Sequence, residues 1–160
     1  MRKKKYPNEL FLLLIVIAAI GAVALSNAFD YNPMEYVKAD KIQIVDSNVV
    51  IGNGCTAIIA TTTPERAKAI QLGIDGTIED RPTIYDSTLS MMKTYNITVE
   101  KLLLNRKDET FYYSDLYLTD GLKNLKLDIL PSDGIALALR AEADVMVNKT
   151  LLEEEGENIC

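Results

Sequence analysis

Residues Asp128 to Arg140 read DILPSDGIALALR, and the reading of this stretch decides the fold. It begins as the end of a strand. Leu122 to Ile129 reads as a strand in which Leu125, Leu127 and Ile129 share one face while Lys126 and Asp128 take the other. Pro131 then suits the first position of a helix, where its missing N–H is no loss. The helix is expected over Pro131 to Ala141. From Ile135 to Leu139 it is apolar on every side, and its alanines permit close approach. A helix apolar all round is a central, buried one. Ser132 and Asp133 sit in its first turn and have two readings. Their oxygens can satisfy free N–H groups at the positive end of the helix dipole. Alternatively, they are chemistry held at a helix mouth, with Asp133 a metal ligand or general base.

Working outward, Val37 to Val45, Val49 to Ile51 and Cys55 to Thr61 read as strands separated by Asp46-Ser47-Asn48 and Gly52-Asn53-Gly54 turns. Thr63 caps a helix that Pro64 opens, with Ala67, Ile70 and Ile74 on one face and Gly73 and Gly76 at its end. A second helix covers about Asp86 to Tyr95, with Asp86 or Ser87 as its cap. Ile97 to Asn105 and Thr110 to Leu118 are strand-like around a turn at Arg106 to Glu109. Thr119-Asp120-Gly121 is a hairpin turn into the strand that ends at Ile129. Val145 to Val147 is a short strand, and Asn148 caps a final helix, Lys149 to Glu155, that Gly156 ends. The expected fold is α+β. Antiparallel strands pack with helices around one central buried helix in a domain spanning 37–156, preceded by a linker at 30–36 and followed by a tail at 157–160.

The chain has 160 residues, 48% of them hydrophobic and 25% charged, a globular composition. Its net charge is −6 and unevenly placed. Arg2, Lys3, Lys4 and Lys5 crowd the N-terminus, and residues 31–160 carry 13 Lys and Arg against 21 Asp and Glu, a balance of 13 − 21 = −8. Such a domain has no overall field that attracts nucleic acid. The chain contains no histidine, which excludes Ser-His-Asp and Cys-His triads and His-ligated zinc. Its two cysteines, Cys55 and Cys160, are too few for a zinc ribbon. They are either paired outside the cell or a buried thiol and a loose tail thiol.

The basic tip leads into LFLLLIVIAAIGAVAL, residues 10–25, which carries no charge. Extended to Phe29 it is about 20 residues, or roughly 30 Å as a helix, the thickness of a bilayer core. The expectation is a transmembrane anchor within residues 1–29, contacting the membrane through residues 10–29. The positive-inside rule keeps the N-terminus cytoplasmic and places the domain outside. The alternative is a signal peptide cut after Ala28, giving a secreted domain.

Without histidine, acid–base work falls to carboxylates, with Mg²⁺ or Mn²⁺ as the suited cofactor. Glu65, Asp86, Asp115, Asp128 and Asp133 lie near helix starts or strand ends, with no diagnostic metal spacing. Arg81 and Arg140 are the phosphate-binding candidates, although Arg140 also complements the C-terminal end of its helix. Phe111, Tyr112, Tyr113 and Tyr117 form either a base-stacking platform or sheet packing.

The Pro-Ser-Asp start and Ile-Ala-Leu-Ala-Leu run of the opening stretch strongly resemble the bifunctional nuclease domain family. Ala67 to Ile70 looks like its first helix. Arg81-Pro82-Thr83 with Asp86 is similar to its Arg-Pro-Leu-Thr-His-Asp segment, and Thr110-Phe111-Tyr112 to its Thr-Phe-Tyr strand. Val145 to Gly156 resembles its last strand and acidic helix. The resemblance covers about residues 37–156. It implies a compact α+β domain, commonly oligomeric, and a metal-dependent nuclease acting on DNA and RNA. Carried onto this chain, Asp133, Asp86 and Ser132 are the catalytic residues, Asp133 and Asp86 the metal ligands, and Arg81 and Arg140 the substrate contacts. The sequence departs from the family pattern at three points: Tyr85 stands for its histidine, Arg66 for its helix-one glutamate, and Gly134 for an alanine. The competing reading is a non-catalytic binding or assembly module on the same fold.

Overall fold

The computed structural model describes residues 31–160, and residues 33–160 form one compact unit. The expected anchor or signal peptide lies outside the described residues. Among the described residues no helix is long and apolar enough to cross a membrane.

After a short 3₁₀ turn at Pro33–Glu35, the chain runs through β1 (Tyr36–Lys38), β2 (Lys41–Val45), β3 (Asn48–Asn53), β4 (Thr56–Thr61), α1 (Pro64–Ile74), α2 (Ile84–Thr94), β5 (Thr98–Lys107), β6 (Tyr112–Thr119), β7 (Asn124–Ile129), α3 (Pro131–Arg140), β8 (Asp144–Asn148), α4 (Lys149–Glu155) and β9 (Gly156–Asn158). The strands form two sheets, one ordered β1-β8-β5-β6-β7 and the other β2-β3-β4-β9. The class is α+β as expected, but the five-stranded sheet is mixed. β8 lies parallel to β5, because α3 carries the chain back across the sheet before β8 begins.

Three expectations about the strands and the tail are revised. The predicted strand Val37 to Val45 is two strands in different sheets. The chain changes sheet at Ala39 and Asp40, whose N–H groups bond Val145 on one side and Gly52 on the other. The tail is not loose: β9 pairs antiparallel with β4. The expected turn at Arg106 is a continuation of β5, which passes an irregularity between Leu104 and Arg106 and runs on to Lys107.

The core lies where the two sheets and α3 meet. Gly134, Ile135, Ala136, Leu137 and Ala138 of α3 are all buried. They join Val49, Ile51 and Ile58 from the four-stranded sheet and Leu102, Leu104, Leu116, Leu118, Val145 and Val147 from the five-stranded one. α3 is therefore the central helix that its all-round apolarity implied. Its small residues let it lie close: a Cβ on Gly134 would come within 2.5 Å of Leu102 Cδ1. Gly73 is not an end marker but a buried residue within α1. A Cβ there would meet Leu139 Cβ at 3.0 Å and Arg140 Nη1 at 3.2 Å, so α1 and α3 pack on it.

A close backbone approach occurs at Gly52, opposite Ala57 in the β3–β4 hairpin. A Cβ there would sit 2.2 Å from the Thr56 carbonyl oxygen and 2.6 Å from Ala57 Cα, and neither backbone atom can swing aside. Gly52→Ala should therefore lower the free energy of unfolding by about 2 kcal/mol or more, the scale of core overpacking. Urea unfolding followed by circular dichroism measures this directly.

Candidate active site

The site is built on the two ends of α3. Leu130 occupies the N-cap position and offers no side-chain hydrogen bond. Asp133 does not turn back to cap the helix. Its Oδ1 accepts a 2.7 Å hydrogen bond from the Tyr85 hydroxyl and lies 3.4 Å from Arg66 Nε. Asp133 thus gathers a tyrosine from α2 and an arginine from α1 at the helix mouth. The carboxylate remains 27% exposed and Arg66 39% exposed. Burial, then the bond to Asp133, pushes the Tyr85 pKa up to about 12, so Tyr85 stays protonated and acts as a donor.

Two turns further along α3 is Arg140. Its Nε donates to Asp86 Oδ1 at 2.8 Å, and Nη1 donates to the carbonyls of Ala69 and Ala136. The Arg140 and Asp86 side chains are only 6% and 7% exposed. The guanidinium carbon lies 5.3 Å from the centre of the Tyr85 ring, a cation–π contact. Nη2 is buried without a hydrogen-bond partner among the described residues.

The other Asp86 oxygen, Oδ2, accepts from the N–H of Thr83 at 2.8 Å and its hydroxyl at 2.6 Å. This makes a capping box in which Thr83, not Asp86 or Ser87, is the N-cap of α2. Burial acts to raise the Asp86 pKa. The Thr83 hydroxyl and N–H and the Arg140 guanidinium outweigh it, so the carboxyl lies below its ordinary range.

A cleft of about 230 Å³ opens beside the Asp133 cluster, lined by Ser132, Arg66, Thr110, Phe111 and apolar residues of both sheets. Ser132 is half-buried at its edge. Arg81 is exposed on the loop before α2. Of the four aromatic candidates, Phe111, Tyr112 and Tyr113 border one surface hollow with Asp128 to Leu130, and Tyr117 does not join them. Tyr117 is buried, Tyr113 stacks beneath Arg106 at 3.6 Å, the Tyr112 hydroxyl donates to Glu155, and Phe111, the most exposed of them, lines the cleft together with half-buried Tyr112.

Four of the predicted residues therefore fall into two groups joined through α3 and Tyr85: Asp133 and Ser132 at the open mouth, and Asp86 with Arg140, nearly buried at the wall of a second cleft of about 760 Å³. This arrangement does not fit a divalent ion held between Asp86 and Asp133. Both Asp86 oxygens are taken by hydrogen bonds, and among the described residues no three acidic or cysteine side chains converge. Sequence reasoning did not assign Arg66, Tyr85 or Thr83 to the site. The first two stood out only as departures from a family pattern. The Thr83-x-x-Asp86 spacing was a legible capping signal.

Comparison with known proteins decides the family. The bifunctional nuclease domain matches residues 56–159, from β4 through β9. The chain belongs to the bifunctional nuclease domain family. It is 29% identical over 79 residues to bifunctional nuclease 2 of Oryza sativa subsp. japonica, and 30% identical over 79 residues to a bifunctional nuclease of Oryza minuta. It is 28% identical over 82 residues to bifunctional nuclease 2 of Arabidopsis thaliana. These alignments cover 48–49% of this chain and 24–25% of the relatives, so the chain spans about a quarter of the curated proteins it matches. The bifunctional nuclease match includes α1, α2 and α3, the three helices that supply Arg66, Tyr85 and Asp133.

Proposed function

We propose that the domain cleaves nucleic-acid phosphodiesters at the mouth of α3, with Asp133 as general base and Arg66 and Ser132 on the phosphate. The observation that carries this reading is the Asp133 carboxylate: oriented by Tyr85 and Arg66, yet partly open to solvent, with its neighbours Arg66 and Ser132 lining the cleft. A held carboxylate can take a proton from water. In that step water oxygen bonds to phosphorus and the bond to the leaving sugar oxygen breaks. The leaving oxygen takes its proton from solvent. Arg66 supplies the planar donor fork that suits phosphate oxygens. Asp86 and Arg140 enter as the buried pair that positions Tyr85, and Arg81 as an outlying contact for flanking backbone. No step here is routed through a metal.

The second reading, a non-catalytic binding module, draws its support from the balance of −8 over residues 31–160, which opposes polyanion binding. Arg66→Gln separates the two. On the cleavage reading it raises KM for a DNA or RNA oligonucleotide about tenfold or more, by loss of a charge-assisted contact. On the module reading there is no turnover for it to change.

Export of the domain is part of the same proposal. Its support is the apolar run at residues 10–25 together with a disulfide between Cys55 and Cys160, a bond that persists in oxidising compartments.

A further inference from the structure

β7 is an edge strand of the five-stranded sheet, and all of it but Ile129 is exposed. The two faces read from its alternation are the ones that form. Leu125 and Leu127 do lie on the core-facing side, opposite buried Leu118 and Leu116. They nevertheless remain 52% and 37% exposed, because the core layer ends before reaching them. Exposed edges with an apolar face are normally blunted or covered.

The strand Asn124-Leu-Lys-Leu-Asp-Ile129 is complementary to itself. Turn a second copy about a two-fold axis through Leu127 and lay it antiparallel. Leu127 then faces Leu127, Leu125 faces Ile129, and Lys126 faces Asp128 twice over. The backbone phase fits as well. Hydrogen-bonded pairs alternate along an antiparallel ladder, and the Asp120 N–H to Lys123 carbonyl bond sets that alternation in the β6–β7 hairpin. Leu125, Leu127 and Ile129 therefore direct their backbone groups to β6, while Lys126 and Asp128 direct theirs to the open edge.

Asp128 stands directly across from Asp115, a like-charge pair, and Lys126 reaches Asp115 at 3.2 Å. Asp128 has no ion pair among the described residues. A second copy brings its own Lys126 to this carboxylate.

We infer that β7 pairs with β7 of a second copy of this chain, in register about Leu127, joining two five-stranded sheets into one. An interface of this kind is isologous, so each strand presents the same row of groups to the other.

Charge reversal tests the register. In the full-length chain, kept in one detergent buffer, Lys126→Asp makes both charged positions of the strand negative and Asp128→Lys makes both positive. Each variant alone should associate at least tenfold more weakly than the wild type, since two attractive cross-strand pairs become repulsive. An equimolar mixture of the two, carrying different tags, should co-purify and sediment as a dimer at wild-type strength. Circular dichroism melts establish that each variant is folded. The inference is overturned if the wild type is a monomer or if either variant associates like the wild type. It is equally overturned if the folded variants fail to combine on mixing, in which case the edge accepts a different chain. Dimer formation without nuclease activity would leave this inference standing and sink only the cleavage proposal.

Discussion

Replacing Arg140 with methionine should lower the free energy of unfolding by about 3–5 kcal/mol, the scale for removing one partner of a buried ion pair. A domain of this size is typically stable by about 5–15 kcal/mol in total, so the loss should be plain in a urea or thermal melt. The reason is the isolation of the pair. Asp86 and Arg140 are each more than nine-tenths buried. Without Arg140 the Asp86 carboxylate keeps Thr83 but loses its one ion-pair partner among the described residues, and the Ala69 and Ala136 carbonyls lose their shared donor. Asp86→Ala in the methionine background should recover part of the loss, because it removes the stranded charge.

The pH dependence has a definite sign. The folded Asp86 pKa is depressed below its unfolded value, so its contribution is fully present above the ordinary aspartate pKa. It is lost as pH falls through the lowered folded value. In Arg140→Met that acid-dependent component should shrink. A methionine variant as stable as the wild type at neutral pH would contradict a stabilising Asp86–Arg140 pair.

Loss of the disulfide should be of similar size. Cys55, in the β3–β4 turn, is bonded to Cys160 across 105 residues of sequence. The bridge pins β9 to the edge of β4, and the Ile159 N–H donates to the Cys55 carbonyl beside it. Constraining a loop of about 100 residues restricts the unfolded chain by up to about 4.7 kcal/mol in the entropic description, and native disulfides typically contribute about 2–5 kcal/mol. Cys55→Ser with Cys160→Ser should lower stability by that amount. Dithiothreitol should reproduce the loss in the wild type and leave the double variant unchanged. A wild type indifferent to reductant would contradict the bridge.

What was legible in the sequence follows from how local each signal is. Pro131 and the all-round apolar run of α3 are a local pattern with one good solution, a buried helix, and that is what forms. The Thr119–Gly121 hairpin and the caps Thr63 and Asn148 are equally local. The parallel pairing of β8 with β5 was not legible, because nothing in Val145 to Val147 encodes which strand it will join. The change of sheet at Ala39 and Asp40 was hidden for the same reason: two strands in line read as one. At the site, Asp133 and Asp86 were both singled out by residue type and helix position. Their different environments depend on which side chains arrive from other helices. Arg140 reaches Asp86 across 54 residues of sequence, and Tyr85 reaches Asp133 across 48.

The central claim is that Asp133 removes the proton from the attacking water. Single-turnover cleavage of DNA and RNA oligonucleotides by the full-length wild type and by Asp133→Asn tests it most directly, with Mg²⁺, Mn²⁺ and EDTA as parallel conditions. Asparagine still accepts the Tyr85 hydrogen bond, so the variant should melt like the wild type. Loss of general-base catalysis typically lowers the rate about 10²–10⁴-fold. A folded variant slowed by that factor is the predicted result. Equal cleavage by variant and wild type, or no cleavage by either under any of the three conditions, would contradict it and leave α3 as the structural centre of a binding module.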